Sequence, residues 1–549
     1  MCDQHKPRPS ASAKKARRGS SLAHGADHAR DHQRWSRRTF LEVAGMAGLG
    51  SMLIGKLPVF AAGSLSLNAA LTQAPGDRVL VLIRLKGGND GLNTIVPLYD
   101  YDTYANLRPT LRVPEAQAIP LTDEAALAPW LSDLYPLWGE GRMRVVQGVG
   151  YPDQNLSHFR SSDIWASASD ADEQLHSGWL GRYFDGLYPD FLFNPPAQPP
   201  AIQIGSLGSL TFLNADNVSL AMTVSNPDQL FELAQTGQMY SLTDLPDCHY
   251  GEQLGYVRAV ANSTFIYAEA IKTAYEASTT QATYDDTPLG QQLALVARLI
   301  KGSLGARVYM VELDGFDTHA NQPDWHPQLL SDLARSVRAF FDDLEAGGWH
   351  DKVLAMTHSE FGRRPEENGS NGTDHGAAAP LMLFGPGLDG SGLAGTAPSL
   401  TDLDDAGNLK FHTDFRSVYA TVLEYWLCVD GATVDGVLGY PFERLYELGL
   451  DCAVTATQQP ATAMALRHRA VPQGDGTFLI QFELPRAGHV RLSVHDLLGR
   501  QLETREGWFD AGSQQVRIMT AGPRIAAAAY VYTIHYEGRN WSGKLARMR

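Results

Sequence analysis

Three apolar runs end in the same way, and that repetition constrains the fold of this 549-residue chain more than anything else in it. Val79-Leu80-Val81-Leu82-Ile83 leads to Lys86-Gly87-Gly88-Asn89-Asp90-Gly91. Val308-Tyr309-Met310-Val311-Glu312-Leu313 leads to Asp314-Gly315-Phe316-Asp317-Thr318-His319. Val353-Leu354-Ala355-Met356-Thr357 leads to Ser359-Glu360-Phe361-Gly362-Arg363-Arg364, then to Gly372-Thr373-Asp374-His375-Gly376. Short runs of this content read as buried strands. A strand that ends in acids and glycines delivers side chains to one edge of a sheet. In open α/β folds that edge is where ligands bind.

Strand and helix signals alternate from Arg78 to about Leu450. Helical spacing covers 289–304 and 332–344, the latter with Leu333, Val337, Phe340, Phe341 and Leu344 on one side. Further strands are expected at 144–149 and 380–384, and a helix over 415–427. This alternation predicts an α/β domain over residues 75–452, a doubly wound, mostly parallel sheet covered on both faces. Residues 185–285 are less regular and are expected to hold insertions and a cap. Composition changes after Cys452. An Ala/Thr/Gln/Pro-rich linker is expected over 453–471. Residues 472–549 alternate apolar and polar residues in short runs such as Phe478–Leu484 and Tyr530–Ile534, which predicts a small antiparallel β-sandwich.

The first 62 residues stand apart. A polar, basic tract is followed by Ser36-Arg37-Arg38-Thr39-Phe40-Leu41, a mildly apolar Gly/Ala-rich run and Ala61-Ala62. This order resembles a twin-arginine export signal. The plainer alternative is a basic tail before a short core helix. The segment carries 11 of the 45 basic and 4 of the 61 acidic side chains, so the remainder has 34 basic against 57 acidic, a net charge of −23. So acidic a protein is not a nucleic-acid binder. No apolar run past the signal reaches the roughly 20 residues of a membrane-spanning helix. Cys2 falls in the signal, leaving Cys248, Cys428 and Cys452. At most one internal disulfide can form. Cys428–Cys452 is one pairing an oxidising compartment permits, and nothing in the sequence selects it. The absence of a Cys-x-x-Cys pair argues against a zinc ribbon.

Each strand end has a functional and a plain reading. Asp90 could ligate a metal or simply turn the chain as Asn-Asp-Gly. Ser157, in Asn155-Leu156-Ser157-His158-Phe159, could be a nucleophile or a helix cap. Asp314, Asp317 and His319 place two acids and a histidine in six residues, a plausible half-site for zinc or manganese. Glu360, Asp374 and His375 are further candidate ligands. Arg363 and Arg364 suit a phosphate or sulfate oxygen, or a salt bridge to Glu366 or Glu367. His412 and Asp414 are weaker candidates, since Asp414 could cap the next helix.

Together, Gly-Gly-Asn-Asp-Gly-Leu-Asn-Thr from Gly87, Asn-Leu-Ser-His-Phe, Asp-Gly-Phe-Asp-Thr-His, Ser-Glu-Phe-Gly-Arg-Arg and Gly-Thr-Asp-His-Gly resemble the bacterial domain of unknown function 1501 family over roughly residues 36–450. That family is grouped with the alkaline phosphatase and sulfatase superfamily. The resemblance implies an alkaline phosphatase-like sheet, a two-metal site and a Ser, Thr or Cys nucleophile. On this reading Asp90, Asp314, Asp317, His319, Glu360, Asp374 and His375 hold divalent ions (zinc, manganese, calcium or magnesium). Ser157 attacks a phosphate or sulfate ester in line, with Thr94 or a metal-bound water as the next candidate, while Arg363 or Arg364 holds an ester oxygen. Ser359-Glu360 departs from the superfamily's usual Asp-His or Asp-Asn. The alternative is therefore a cell-surface binding protein with a decayed site. Val494-His495-Asp496-Leu497-Leu498-Gly499-Arg500 and the terminal Gly543–Arg549 resemble the sorting domain of type IX secretion substrates. The implied partners are the twin-arginine translocase, an outer-membrane secretion machinery and a small-molecule or polysaccharide ester. The implied address is the periplasm or cell surface.

Overall fold

The structure is a computed structural model. It describes residues 78–546 except 206–207, 226, 244, 246–248, 389–392, 453–467, 474–476, 485–486, 496–500, 520–528 and 537–538. The export-signal segment, Cys248, most of the expected linker, Asp496–Arg500 and Arg547–Arg549 lie outside the described residues. The chain divides into two compact units, 1–455 and 456–549.

The apolar runs do form strands at the centre of the first unit. Its sheet contains β1 (Val79–Lys86), β2 (Met143–Gly150), β3 (Ala201–Ile204), β4 (Ala221–Val224), β5 (Val308–Asp314), β6 (Val353–His358), β7 (Ala379–Phe384) and β8 (Thr413–Asp414). Their order is β8-β2-β7-β6-β1-β5-β3-β4. β1 lies in the middle, parallel to both neighbours, with Leu82 opposite Met310 on one side and Met356 on the other. Only β7 runs antiparallel to its neighbours. Leu80, Val81 and Ile83 are all fully buried, as a central strand covered on both faces requires. The irregular 185–285 stretch supplies two strands of this sheet, β3 and β4, besides a long helix, α2, defined below. Four-residue strands are too short to stand out by periodicity, so the expectation of a cap region alone was incomplete.

Five helices matter to the site: α1 (His158–Ser167), α2 (His249–Ala277), α3 (Pro288–Lys301), α4 (Gln322–Ala346) and α5 (Phe415–Thr421). α4 buries Leu330, Leu333, Val337, Phe340, Phe341 and Leu344, a stripe at helical spacing. Asp414 caps α5 by accepting from the Arg416 N–H. Cys428 and Cys452 form a disulfide. Among the described residues no helix is long and apolar enough to cross a membrane.

The second unit has β9 (His468–Pro472), β10 (Thr477–Leu484), β11 (Gly488–His495), β12 (Gln501–Phe509), β13 (Gly512–Met519), β14 (Ala529–Tyr536) and β15 (Arg539–Ala546). They make two antiparallel sheets, β9-β10-β13 and β12-β11-β14-β15. Alternate residues Phe478, Ile480, Phe482 and Leu484 of β10 share one core with Val490, Leu492 and Val494 of β11. That is sandwich packing with period-two burial.

His326 on α4 is 1% exposed, and its Nε2 meets the Asn89 side-chain oxygen at 3.0 Å. Burial lowers its pKa to about 4, against the pull of Asp90. The unfolded chain therefore takes up a proton near the ordinary 6.5 that the folded chain refuses until about 4. Stability from this residue is complete above 6.5 and falls as pH drops towards 4, by about 1.4 kcal/mol per pH unit. Urea midpoints measured across that window should show a shallower loss in His326→Gln. An unchanged slope would contradict the assignment.

Candidate metal centre

The carboxyl ends of β1, β5 and β6 meet where the glycines allow close approach. Gly87 has φ +120°, and a Cβ there would lie 2.3 Å from the Asp317 nitrogen. Gly88, at φ +84°, faces the Phe361 ring in the same way. The loop after β5 can thus pass directly over the end of β1. A two-residue antiparallel ladder then sets Arg363 opposite His375 and Gly362 opposite Gly376. α1 starts at His158 and aims it at the same spot.

Four side chains converge there. Ligand atoms of His158, Asp317 and His375 all lie within 4.8 Å of one another. His375 Nε2 is 3.1 Å from Asp317 Oδ1, and His158 Nε2 is 3.4 Å from Asp317 Oδ2. His319 joins them, with Nε2 3.2 Å from Asp317 Oδ1 and 2.9 Å from His375 Nε2. Among the described residues His158, Asp317 and His375 are the one group of three or more His, Cys, Asp or Glu side chains whose ligand atoms lie so close together, and His319 adjoins it through Asp317 and His375.

The far nitrogens are all anchored. His158 Nδ1 meets Glu360 Oε1 at 3.1 Å, His319 Nδ1 meets Asp374 Oδ1 at 3.2 Å, and His375 Nδ1 meets the Leu156 carbonyl at 2.9 Å. Carboxylate and carbonyl oxygens accept, so a ring protonated at Nδ1 turns its Nε2 lone pair towards Asp317, whereas the tautomer protonated at Nε2 donates to that carboxylate. All three Nε2 atoms face the Asp317 carboxylate. With both Nε2 atoms unprotonated, His319 and His375 would oppose lone pair to lone pair at 2.9 Å. A cation would relieve that conflict, and the 2.9–3.2 Å spacings among Asp317, His319 and His375 are near the roughly 3.3 Å between ligands of a tetrahedral ion with 2.0–2.1 Å bonds. Asp317 is half-exposed, so one side of the group stays open.

Arg363 fixes Asp317. Its side chain is fully buried, and it donates to the carbonyls of Gly87, Gly88, Phe316 and Thr373 and, at 2.8 Å, to Asp317 Oδ1. Partial burial would raise the Asp317 pKa, but hydrogen bonds from Arg363 and His375 outweigh it and hold the carboxyl at about 2. Burial lowers the His375 pKa, which keeps that ring neutral.

The expected residues sort differently from the sequence reading. Asp317, His319 and His375 come together. Glu360 and Asp374 stand behind His158 and His319 and orient them, in the carboxylate–histidine arrangement common at metal sites. Glu360 Oε1 also accepts from the Gly87 N–H, while Oε2 is buried without a protein partner. Asp90 is fully buried, its Oδ2 paired with Arg108 at 2.6 Å. Asp314 pairs with Lys86 at 2.7 Å and bonds the Gly315 N–H. Arg363 is spent on protein acceptors, so it is not an open hand for an ester oxygen. Arg364 is half-buried and lines neither cleft beside the site. Ser157 is exposed; its hydroxyl makes no capping bond and lines neither cleft. Thr94 is buried, donating to the Asp90 carbonyl. Glu367 accepts from Thr110 and Leu111 rather than from either arginine. His158, the first residue of α1, joins the group although it lies on a helix and not at a strand end, where the sequence pattern places the other candidates.

The centre borders two clefts. One, of about 1110 Å³, is lined by His158, Asp317, Glu360, Arg84, Lys86 and Phe159 among others. The other, of about 920 Å³, includes Asp317, Asp314 and Trp325. Ser162, one turn along α1 from His158, presents its hydroxyl in the first cleft and accepts from Arg84 at 2.8 Å.

With this geometry in hand, comparison with known proteins is informative in one respect. A family profile described as protein of unknown function, DUF1501, matches residues 144–444, more than half of the chain. The chain belongs to the DUF1501 family. No curated protein matches it. Solved structures similar to this DUF1501 protein include an alkaline phosphatase superfamily protein from Vibrio parahaemolyticus, at 8% identity and TM-score 0.27, covering 88% of each chain. Another is a lipoteichoic acid synthase from Listeria monocytogenes, at 7% identity and TM-score 0.28, covering 85% of this chain and 92% of that one. A third is alkaline phosphatase from the Antarctic bacterium TAB5, at 10% identity and TM-score 0.21, covering 56% and 92%. At such scores these likenesses carry no functional argument.

Arg363→Met should destabilise the first unit by about 3–5 kcal/mol, since it leaves a carboxylate and four carbonyls without their shared donor. Arg363→Lys should recover little, because an ammonium has three donors in place of a planar fork. Urea denaturation measures both. A loss under about 1 kcal/mol for Met would show that the fork is dispensable.

Proposed function

We propose that this DUF1501 protein is an exported hydrolase of phosphate or sulfate esters whose working part is a divalent cation held by His158, Asp317, His319 and His375. The observation that carries the reading is the convergence of three Nδ1-anchored imidazoles on one carboxylate. Three nitrogen donors with one carboxylate suit zinc or a similar transition ion better than calcium or magnesium, which prefer all-oxygen shells. A bound divalent ion would stabilise negative charge developing on an ester oxygen. Glu360 and Asp374 keep the imidazole lone pairs aimed, and Arg363 keeps Asp317 ionised and in place. In the adjoining cleft Lys86 and Arg84 are already paired with Asp314 and Glu312, so positive charge for an anionic ester would come from the bound cation. The Ser162 hydroxyl is a better-placed candidate for attack than Ser157.

The second reading, a surface-binding protein with a decayed site, is favoured by one observation: the guanidinium best placed for an ester oxygen, Arg363, is saturated by the protein itself. Metal content and turnover separate the two. The purified chain should carry one zinc-class ion, by elemental analysis, and His158→Ala and His375→Ala should lose it. Hydrolysis of p-nitrophenyl phosphate or p-nitrophenyl sulfate should fall by at least 100-fold in the same variants. One ion or none, without turnover, refutes the hydrolase reading and supports the binding one.

The proposed domain plan is an export signal over 1–62, the α/β domain over 75–452, a linker over 453–471 and a sorting domain over 472–549. The paired Arg37-Arg38 tract supports the twin-arginine translocase as the first partner, and the antiparallel sandwich is compatible with handover to an outer-membrane secretion machinery. The Cys428–Cys452 disulfide supports an oxidising destination. Replacing Arg37 and Arg38 by Lys should leave reduced precursor in the cytoplasm, visible as an unprocessed, thiol-reactive band after fractionation. Normal processing of that variant would exclude the route.

A further inference from the structure

We infer that Gln322, anchored by the buried Asp90–Arg108 pair, is the positioning residue of the metal centre: its one amide oxygen clamps together the two loops that carry three of the four ligands. This rests on the metal reading above. Gln322 is 1% exposed and opens α4. Its Nε2 donates to Asp90 Oδ2, which also receives Arg108 Nη1. A carboxylate only accepts, so the amide nitrogen must face Asp90 and Oε1 must point the other way. There it accepts from Thr373 Oγ1 at 2.8 Å and Thr318 Oγ1 at 3.2 Å. Thr318 sits between Asp317 and His319. Thr373 directly precedes Asp374 and His375.

The clamp is braced on both sides. Thr373 N–H donates to the Thr318 carbonyl at 3.2 Å, and Gln322 N–H to the Asn371 carbonyl at 2.8 Å. Arg108, fully buried like Asp90, donates to the carbonyls of Arg364 and Pro365 at 2.8 Å each, fixing where the second loop begins. Asp90 thus serves the ion from behind. It orients the glutamine, and the glutamine sets the separation of His319 from His375. Groups in this outer shell typically govern metal affinity by 10–100-fold.

The test uses the full chain and cobalt(II), whose absorption bands report ligand geometry. Affinity is measured by competition with a chromophoric chelator. Gln322→Met, close in size, should weaken cobalt binding 10–100-fold and alter the visible bands. The paired substitution Thr318→Val with Thr373→Val removes both hydroxyl donors, keeps side-chain shape, and should do the same. Thr318→Ser with Thr373→Ser restores the donors and should bind like the parent. Circular dichroism and the metal-free melting temperature identify folded variants, and should Gln322→Met not fold, the valine pair decides. A folded valine pair with parental affinity and an unchanged spectrum overturns the inference. So does a serine pair as weak as the valine pair, which would make the effect one of packing. A parent chain that takes up no cobalt refutes the metal reading itself, and this inference with it, and is recognised before any variant is compared.

Discussion

Arg363 places a full positive charge in a fully buried position, where an unpaired guanidinium could not remain. Its partners are carbonyls of Gly87 and Gly88 at the end of β1, of Phe316 after β5, and of Thr373 before the short ladder, together with the Asp317 carboxylate. These segments lie far apart in sequence, and the β1–β5 ladder ends at Lys86 and Asp314, just short of them. One planar side chain satisfies carbonyls that the sheet leaves unpaired at its edge. The same fork supplies the charge that holds Asp317 ionised at about 2. Strand-end geometry and site electrostatics therefore share one cause. The glycines follow from it: Gly87 and Gly88 turn their carbonyls towards Arg363 only in backbone conformations that side-chain-bearing residues avoid.

Much of this was legible in the sequence, for identifiable reasons. β1, β5 and β6 are continuous apolar runs, and a parallel sheet covered on both faces needs such runs. Their polar ends had to fall on one edge, so Asp317, His319 and His375 could be expected to meet. β3 and β4 were hidden, because four residues give no period to read. Roles within the cluster were hidden for a different reason. Whether an acid ligates an ion or holds a histidine depends on which of its neighbours is a few ångströms nearer, and spacing in sequence carries no such information. Glu360 and Asp374 therefore read as ligands and sit one shell back. Arg363 read as a substrate contact because arginine near acids suggests an anion, while its five acceptors are mostly backbone carbonyls that a sequence does not display. His158 carried a signal that could have found it: a histidine at the first position of a helix, directly after a strand, in a chain already short of one imidazole for a nitrogen-rich site.

Two buried charged constructions lie beneath the cluster, and they act on different members of it. Arg363 grips Asp317, and the Asp90–Arg108–Gln322 chain reaches the loops of His319 and His375. Burying so much charge costs several kcal/mol per ion before pairing is counted, and a hydrophobic core would have held the fold at less cost. The expense is intelligible where ligand positions must be held to fractions of an ångström, since metal–ligand bonds tolerate little variation.

The charge lining the larger cleft adds the last constraint. Arg84, Lys86 and Arg298 face Asp163, Glu312, Asp314, Asp317 and Glu360, so acids outnumber bases by two. The pairings of Lys86 with Asp314 and of Arg84 with Glu312 reduce what those cations can offer a ligand. A phosphate or sulfate ester approaching this surface alone meets net repulsion, and a divalent cation among His158, Asp317, His319 and His375 would bring the balance to neutrality. Cation binding and anion binding are then coupled through the field of the cleft as well as through direct ligation. On the proposed reading of a hydrolase exported already folded, that coupling would make the step at which a cation is acquired also the step at which the cleft becomes receptive to an anionic ester.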